Sequence, residues 1–195
     1  MEYPLGVKFR YDSVPLLWEI ENVYSPLECQ QFIQKINQAN PAIATNNPSF
    51  RNQDRVIFDD ADIANDLFQR IKNFIPQQVE QFQVTRLNER LRCYRYNISQ
   101  RFAPHMDHWY QANDREISLF SVLIYFNNDF EGGETKFMEQ LEKSVMPEVG
   151  KAAIFQHKIR HEGCEVTAGI KYAMRTDLMY LKNQISSYLE TFQQR

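Results

Sequence analysis

With 195 residues, 43% of them hydrophobic and 13% aromatic, the chain can bury a sizeable core as one domain without disulfides or a structural metal. Its net charge of −3, with basic residues scattered along the chain, excludes the electrostatic footprint needed to wrap a nucleic-acid backbone. Cys29, Cys93 and Cys164 are odd in number and widely spaced, so neither a disulfide framework nor a zinc knuckle is expected, and they read as reduced thiols. The N-terminus lacks a basic segment followed by an apolar run, and no stretch approaches the roughly 18 apolar residues of a membrane span. No membrane partner is expected, and a cytoplasmic protein is the simplest reading.

Residues 14–20 predict an opening strand. Ser25-Pro26-Leu27-Glu28 then gives a capping box with proline at the first helical position, and Leu27, Phe32 and Ile36 fall near one face of the helix that follows. The Asn- and Pro-rich segment 39–55 predicts a loop. It ends in Arg51 and Arg55, which either reach into a cleft or, as is commoner, solvate a surface turn. A second helix is expected after Asp59 or Asp60, where Ile63, Leu67, Phe68, Ile71 and Phe74 keep helical spacing until Pro76.

From residue 91 the period becomes extended, with strand candidates at 91–97, 102–107 and 117–126. The last is apolar on both alternating faces, which suits the middle of a two-layer β structure. Asn127-Asn128 and Gly132-Gly133 signal turns, and strands are expected at 134–138, 151–155, 165–167 and 170–181. Ile185, Tyr188, Leu189 and Phe192 predict a C-terminal helix over 183–192. No repeat or linker divides the chain. The expectation is one α+β, mainly β domain spanning 1–195: a helical support region (1–90), a double-stranded β-helix (jelly-roll, cupin-like) core (91–181) and a C-terminal helix (182–195).

His105-Met106-Asp107 is the first candidate site. In a strand, residues i and i+2 project to the same side, so His105 and Asp107 present one imidazole and one carboxylate together, two-thirds of a facial triad. Chance alone supplies a His-x-Asp in roughly one chain in four of this length, so a third ligand is required. His108 would point to the opposite face, leaving His157 and His161. His161 begins a run that reads as a strand, a tight turn at Ala168-Gly169 and a return strand. That hairpin would pair Lys171 near Val166, about 13–17 Å along the strand from His161.

The ordered set resembles the prolyl 4-hydroxylase-like branch of the Fe(II)- and 2-oxoglutarate-dependent dioxygenases over roughly residues 91–181. That family shows His-x-Asp, a distal His and a Lys ten positions later, which here are His105, Asp107, His161 and Lys171. The run from Tyr96 through Gln100 and Phe102 to His105 is similar to the family's, as are Gly132-Gly133-Glu134-Thr135 and the segment 150–155 ahead of His161. Ser99 stands where the family often has glycine, and the return strand ends Arg175-Thr176-Asp177 rather than in a tryptophan-rich sequence.

The resemblance implies that His105, Asp107 and His161 ligate Fe(II), and that Lys171 holds the distal carboxylate of 2-oxoglutarate with help from Tyr96. Arg175, on the face of Lys171, is the reserve anchor. His157 is left as core or cleft wall, and Gly132-Gly133 as turn chemistry. With O2 the co-substrates would give hydroxylation of an unactivated C–H bond, succinate and CO2, with ascorbate as reductant. Asp107 argues against the related halogenases, which typically lack this carboxylate. The implied substrate is a prolyl residue in a peptide or protein, with a free amino acid or other small molecule as the rival. A non-catalytic metal-binding interaction protein is the alternative of a different class. Arg51, Arg55, Arg115, Lys158 and Arg160 are candidates to line an entrance, but sequence does not fix which face they share.

Overall fold

The computed structural model describes residues 3–183 apart from residues 46 and 140. All but the first residue of the helix expected over 183–192 lies outside the described residues. Helices α1 (Pro26–Gln38) and α2 (Ala61–Ile71) start where their caps dictate. The Ser25 hydroxyl accepts from the Glu28 N–H while the Glu28 carboxylate accepts from the Ser25 N–H at 2.8 Å, and the Asp60 carboxylate accepts from the Ile63 N–H at 3.0 Å. The buried face of α1 is Cys29 and Ile36 with Phe32 and Ile33 packed alongside; Leu27 is exposed, because the first turn overhangs the core. Phe74 likewise lies beyond the end of α2 and is exposed.

Nine strands form the larger sheet: β1 (Leu17–Ile20), β2 (Ala42–Ile43), β3 (Asp54–Asp59), β4 (Gln78–Val79), β5 (Phe82–Leu87), β6 (Arg90–Tyr96), β8 (Glu116–Tyr125), β12 (Ala152–Gln156) and β15 (Lys171–Lys182). The smaller sheet contains β7 (Phe102–His105), β10 (Thr135–Phe137), β11 (Lys143–Val145) and β13 (His161–Gly163), while β9 (Glu131–Gly132) and β14 (Val166–Ala168) pair with each other. The first 90 residues are therefore not a purely helical support, since β1 to β5 all join the larger sheet. Within the expected loop 39–55, β2 pairs with β3, whose other edge pairs with β6.

Strand alternation divides the molecule into layers. On β6, Leu91 and Cys93 face the helices, while Arg92, Tyr94 and Tyr96 take the other face; on β15, Met174 faces the helices and Lys171, Ala173 and Arg175 the other. Tyr125, Ala153, Phe155 and Ala173 of the larger sheet pack against Phe137 and Val145 of the smaller one, giving a two-layer β core of jelly-roll type with helices on its outer face. β8 is central, between β12 and β15, in keeping with its two apolar faces.

One local expectation fails. β14 pairs with β9 rather than with β15, and Lys171 stands opposite Tyr96 instead of Val166. After Gly163 the chain leaves the smaller sheet, the Cys164 N–H donating to Glu134 O and the Val166 N–H to Gln100 O, so no continuous strand runs on to the turn. β15 is almost wholly buried and satisfies both its edges in the larger sheet, on β6 and β8. His161 and Lys171 thus belong to different sheets. No helix among the described residues is long and apolar enough to cross a membrane.

Candidate metal and co-substrate site

β7 and β13 are neighbours in the smaller sheet, and their register sets His105 directly opposite His161. β7 ends at His105, so Asp107 lies just past the strand rather than on it. The Asp107 N–H donates to His157 O at 2.8 Å, which turns the carboxylate inward. One ligand atom from each of His105, Asp107 and His161 lies within 4.8 Å of the others. Each imidazole Nδ1 lies against a backbone carbonyl, Ala103 O at 2.8 Å and Ile159 O at 2.9 Å, so each Nε2 carries the lone pair and faces Asp107 at 3.8 Å. Burial lowers the pKa of both rings, that of His105 to about 4, which keeps the neutral, ligating form at physiological pH. Two neutral imidazoles and one carboxylate converging this closely fit a divalent iron with open coordination positions.

Asp107 is fully buried. Burial opposes its ionisation, but the Arg175 guanidinium, 2.9 Å away, and the surrounding imidazoles outweigh that and hold its carboxyl below the ordinary range. Its other oxygen accepts from the Ser121 hydroxyl. Behind Ser121 lies His157, whose Nδ1 is 2.9 Å from Ser121 Oγ and whose Nε2 is 2.7 Å from Ser118 Oγ. His157 is therefore core, as expected, but core that orients Asp107. The available signal was Ser118 and Ser121, the only hydroxyls besides Tyr125 in the apolar run 117–126.

The cavity beside the triad lies between the two sheets, walled by Tyr94, Leu123, Phe155 and Ala173 and reaching Tyr96 and Lys171. Lys171 is buried, donates to Gly133 O at 2.6 Å, and lies 5.0 Å from the Tyr96 ring centroid and 5.4 Å from that of Tyr125. It forms no ion pair among the described residues, and burial lowers its pKa to about 8 against the weaker opposing pull of Cys164 and Glu134. Gly133 is more than turn chemistry. Its φ is 68°, its carbonyl accepts from Lys171, and a Cβ there would come within 2.9 Å of the Phe130 ring and 3.3 Å of Lys171 Cδ. Arg175 is occupied otherwise: Nη1 binds Asp107 at 2.9 Å and Nη2 binds Asp177 at 2.8 Å, and Arg92 holds the second oxygen of Asp177 at 3.1 Å.

Residues 91–176 match the family model of the 2OG-Fe(II) oxygenase superfamily. They cover the histidines, the aspartate and Lys171, so the segment that carries the site is that of a 2-oxoglutarate-dependent dioxygenase, and the fold around it is one that prolyl hydroxylases share. The same architecture occurs in the viral collagen prolyl hydroxylase of Paramecium Bursaria Chlorella virus-1, crystallised with 2OG (TM-score 0.64, 18% identity, 87% of this chain and 98% of that one). A Pseudomonas putida prolyl-4-hydroxylase aligns with TM-score 0.63 and 11% identity over 88% of this chain and 95% of its own. A Trichoplax adhaerens prolyl hydroxylase, solved with a hypoxia inducible factor oxygen degradation domain peptide fragment, aligns with TM-score 0.61 and 14% identity over 91% and 88%. No curated protein matches by sequence.

Proposed function

We propose that the chain hydroxylates an unactivated C–H bond of a prolyl residue in a peptide or protein, consuming 2-oxoglutarate and O2 and releasing succinate and CO2, with ascorbate as the reductant that keeps the iron ferrous. The observation that carries this is one cavity lined by His105, Asp107, His161 and a buried lysine, Lys171, that forms no ion pair among the described residues. Bound Fe(II) with 2-oxoglutarate and O2 supplies the oxidant for C–H hydroxylation.

In this proposal the Nε2 atoms of His105 and His161 and one oxygen of Asp107 hold the iron, and Lys171 takes the distal carboxylate of the co-substrate. Lys171 and Arg175 are four residues apart on one face of β15, about 13 Å along the strand, and Arg175 is already at Asp107. A dicarboxylate lying between the triad and Lys171 has an anchor at each end. The Tyr96 hydroxyl borders the same space, close to Gly163, as a further hydrogen-bond donor. Arg175, with both terminal nitrogens engaged, serves to keep Asp107 ionised and aimed rather than to bind co-substrate. Leu123, Phe155 and Ala173 exclude water from the reacting end.

The test is succinate formation from 2-oxoglutarate with Fe(II), together with a mass-spectrometric search for +16 Da products among lysate peptides. Wild type should turn over, His105→Ala and Asp107→Ala should lose activity by orders of magnitude, and Lys171→Ala should raise the KM for 2-oxoglutarate far more than it lowers kcat. Equal turnover in wild type and the two ligand variants would refute the assignment. A hydroxylated product that is not a prolyl peptide would overturn the substrate class alone.

A further inference from the structure

Outside the triad a second cavity opens to the surface, sharing Tyr94, Phe102, His105, Asp107 and Arg175 with the inner one. Strand pairing decides what else lines it. β3 pairs with β6 so that Arg55 stands opposite Tyr94, and Arg92, two residues from Tyr94, takes the same face. Arg51 arrives through an isolated bridge to Phe102. Its guanidinium lies 4.5 Å from the Phe102 ring centroid, and Phe102 in turn stacks on His105 at 3.6 Å. Two guanidinium groups thus stand within one aromatic ring or one strand residue of the iron site.

Their charge is uncompensated. Arg92 and Arg175 are paired with Asp177 and Asp107, and Asp107 is the only carboxylate lining the opening among the described residues. Among the described residues Arg51 forms no ion pair and its buried Nη2 has no hydrogen-bond partner, and the Arg55 guanidinium makes neither a hydrogen bond nor an ion pair. Burial and the neighbouring charges of Arg51, Arg92 and Arg90 lower the pKa of Arg55, while Tyr94 acts the other way. A chain with net charge −3 has concentrated positive charge at one opening. Phe50, Met106 and Tyr110, each about two-fifths exposed (41, 41 and 42%), line the same opening and offer apolar contact beyond the arginines.

We propose that Arg51 and Arg55 form a carboxylate-binding fork for the substrate to be hydroxylated, so that the target residue lies next to an Asp or Glu side chain in a polypeptide. This rests on the dioxygenase reading above. The geometry suits it: two guanidinium groups match one carboxylate by paired N–H donors, and the outer apolar side chains suit a chain that continues past the anchored residue. A free amino acid offers the same carboxylate without that continuation.

The test uses fluorescein-labelled, end-blocked peptides with proline flanked by Asp or Glu, their Asn or Gln counterparts, and free proline and glutamate as unlabelled competitors. Anisotropy is read anaerobically on the metal-loaded protein, so binding is scored even if no product forms, and wild-type succinate release without peptide is followed separately. The acidic peptides should bind at least 10-fold tighter than the amides at low salt. That preference should collapse in Arg51→Gln and Arg55→Gln, persist in the remote Arg115→Gln, and turn toward Lys-flanked peptides in Arg55→Glu; thermal unfolding verifies that each variant is folded. Equal binding of acidic and amide peptides, an equal loss for both in Arg55→Gln, or competition by free amino acids at lower concentration than by acidic peptides would overturn the proposal. Charge-selective binding without any succinate release would leave the fork standing and remove the dioxygenase reading instead.

Discussion

Ser99 sits at φ 66°, a left-handed conformation that costs a residue with a Cβ about 1 kcal/mol and glycine little. The position where similar proteins often carry glycine is thus a backbone requirement that serine meets under strain. Ser99→Gly should stabilise the protein by about 0.5–1 kcal/mol in urea denaturation; a loss would mean that the serine side chain contributes more than its backbone costs. Lys171 gives a pH dependence. Its folded pKa of about 8 lies below the unfolded value near 10.5, so the unfolded chain binds more protons between those limits. Stability of the co-substrate-free protein should rise with pH across that window, by at most on the order of 3 kcal/mol, and Lys171→Met should flatten the rise. Because a dicarboxylate favours the charged amine, 2-oxoglutarate binding should take up a proton near pH 8 to 9 and weaken at higher pH, which calorimetry in buffers of different ionisation heat would detect. The chain Ser118–His157–Ser121–Asp107 predicts a different effect. His157→Gln or Ser121→Ala should weaken Fe(II) binding roughly 10- to 100-fold with the fold intact, and unchanged affinity would mean that the Asp107 N–H bond to His157 O suffices to aim the carboxylate.

At the scale of elements, β9 and the turn after it press Gly133 against Lys171. Gly133→Ala puts a methyl group at a positive φ and within 3.3 Å of Lys171 Cδ, so it should cost about 1–2 kcal/mol of stability and weaken 2-oxoglutarate binding about 10-fold, read from denaturation and from KM. Wild-type affinity would mean that Lys171 has room to give. What sequence revealed and what it hid divide along the same line. The pairing of His105 with Asp107 was legible because its spacing is local, as were the helix starts at Ser25 and Asp60, whose caps are three-residue patterns, whereas His161 and Lys171 entered only through the resemblance to a family. The partner of β15 was not legible, because a Gly-containing turn looks like a hairpin whether or not its strands pair with each other. Nor was the shared face of Arg55 and Arg92: Arg55, at the start of β3, fell at the end of an Asn-rich stretch read as loop, and only the pairing of β3 with β6 sets the two arginines together.

For the whole molecule, the triad is where the two sheets meet. His105 and His161 belong to the smaller sheet, while Asp107 is gripped by Ser121 on β8 and Arg175 on β15 of the larger one. A metal bound to all three ties the layers together and binds only the folded chain. At about 100-fold over Kd, Fe(II) or Mn(II) with 2-oxoglutarate under anaerobic conditions should add about 2.7 kcal/mol, raising Tm by roughly 5–10 °C, and a chelator should reverse the gain. His161→Ala should show no such rise; an equal rise there would place the metal elsewhere.

β15 has a further consequence for how such a site can change over time. Lys171, Ala173, Arg175 and Asp177 are written on it at every second position, and the bulge that breaks its pairing with β8 falls later, at Leu178/Met179. Those four positions share one phase. Single-residue insertions or deletions between 171 and 177 would turn the proposed co-substrate anchor or the aspartate's counter-charge into the helix layer at a stroke, whereas substitutions there alter one group at a time. Descendants of this sequence are therefore free to vary which side chains occupy the phase, but not its length, and it is in the loops outside it, such as the one carrying Arg51, that length itself can drift.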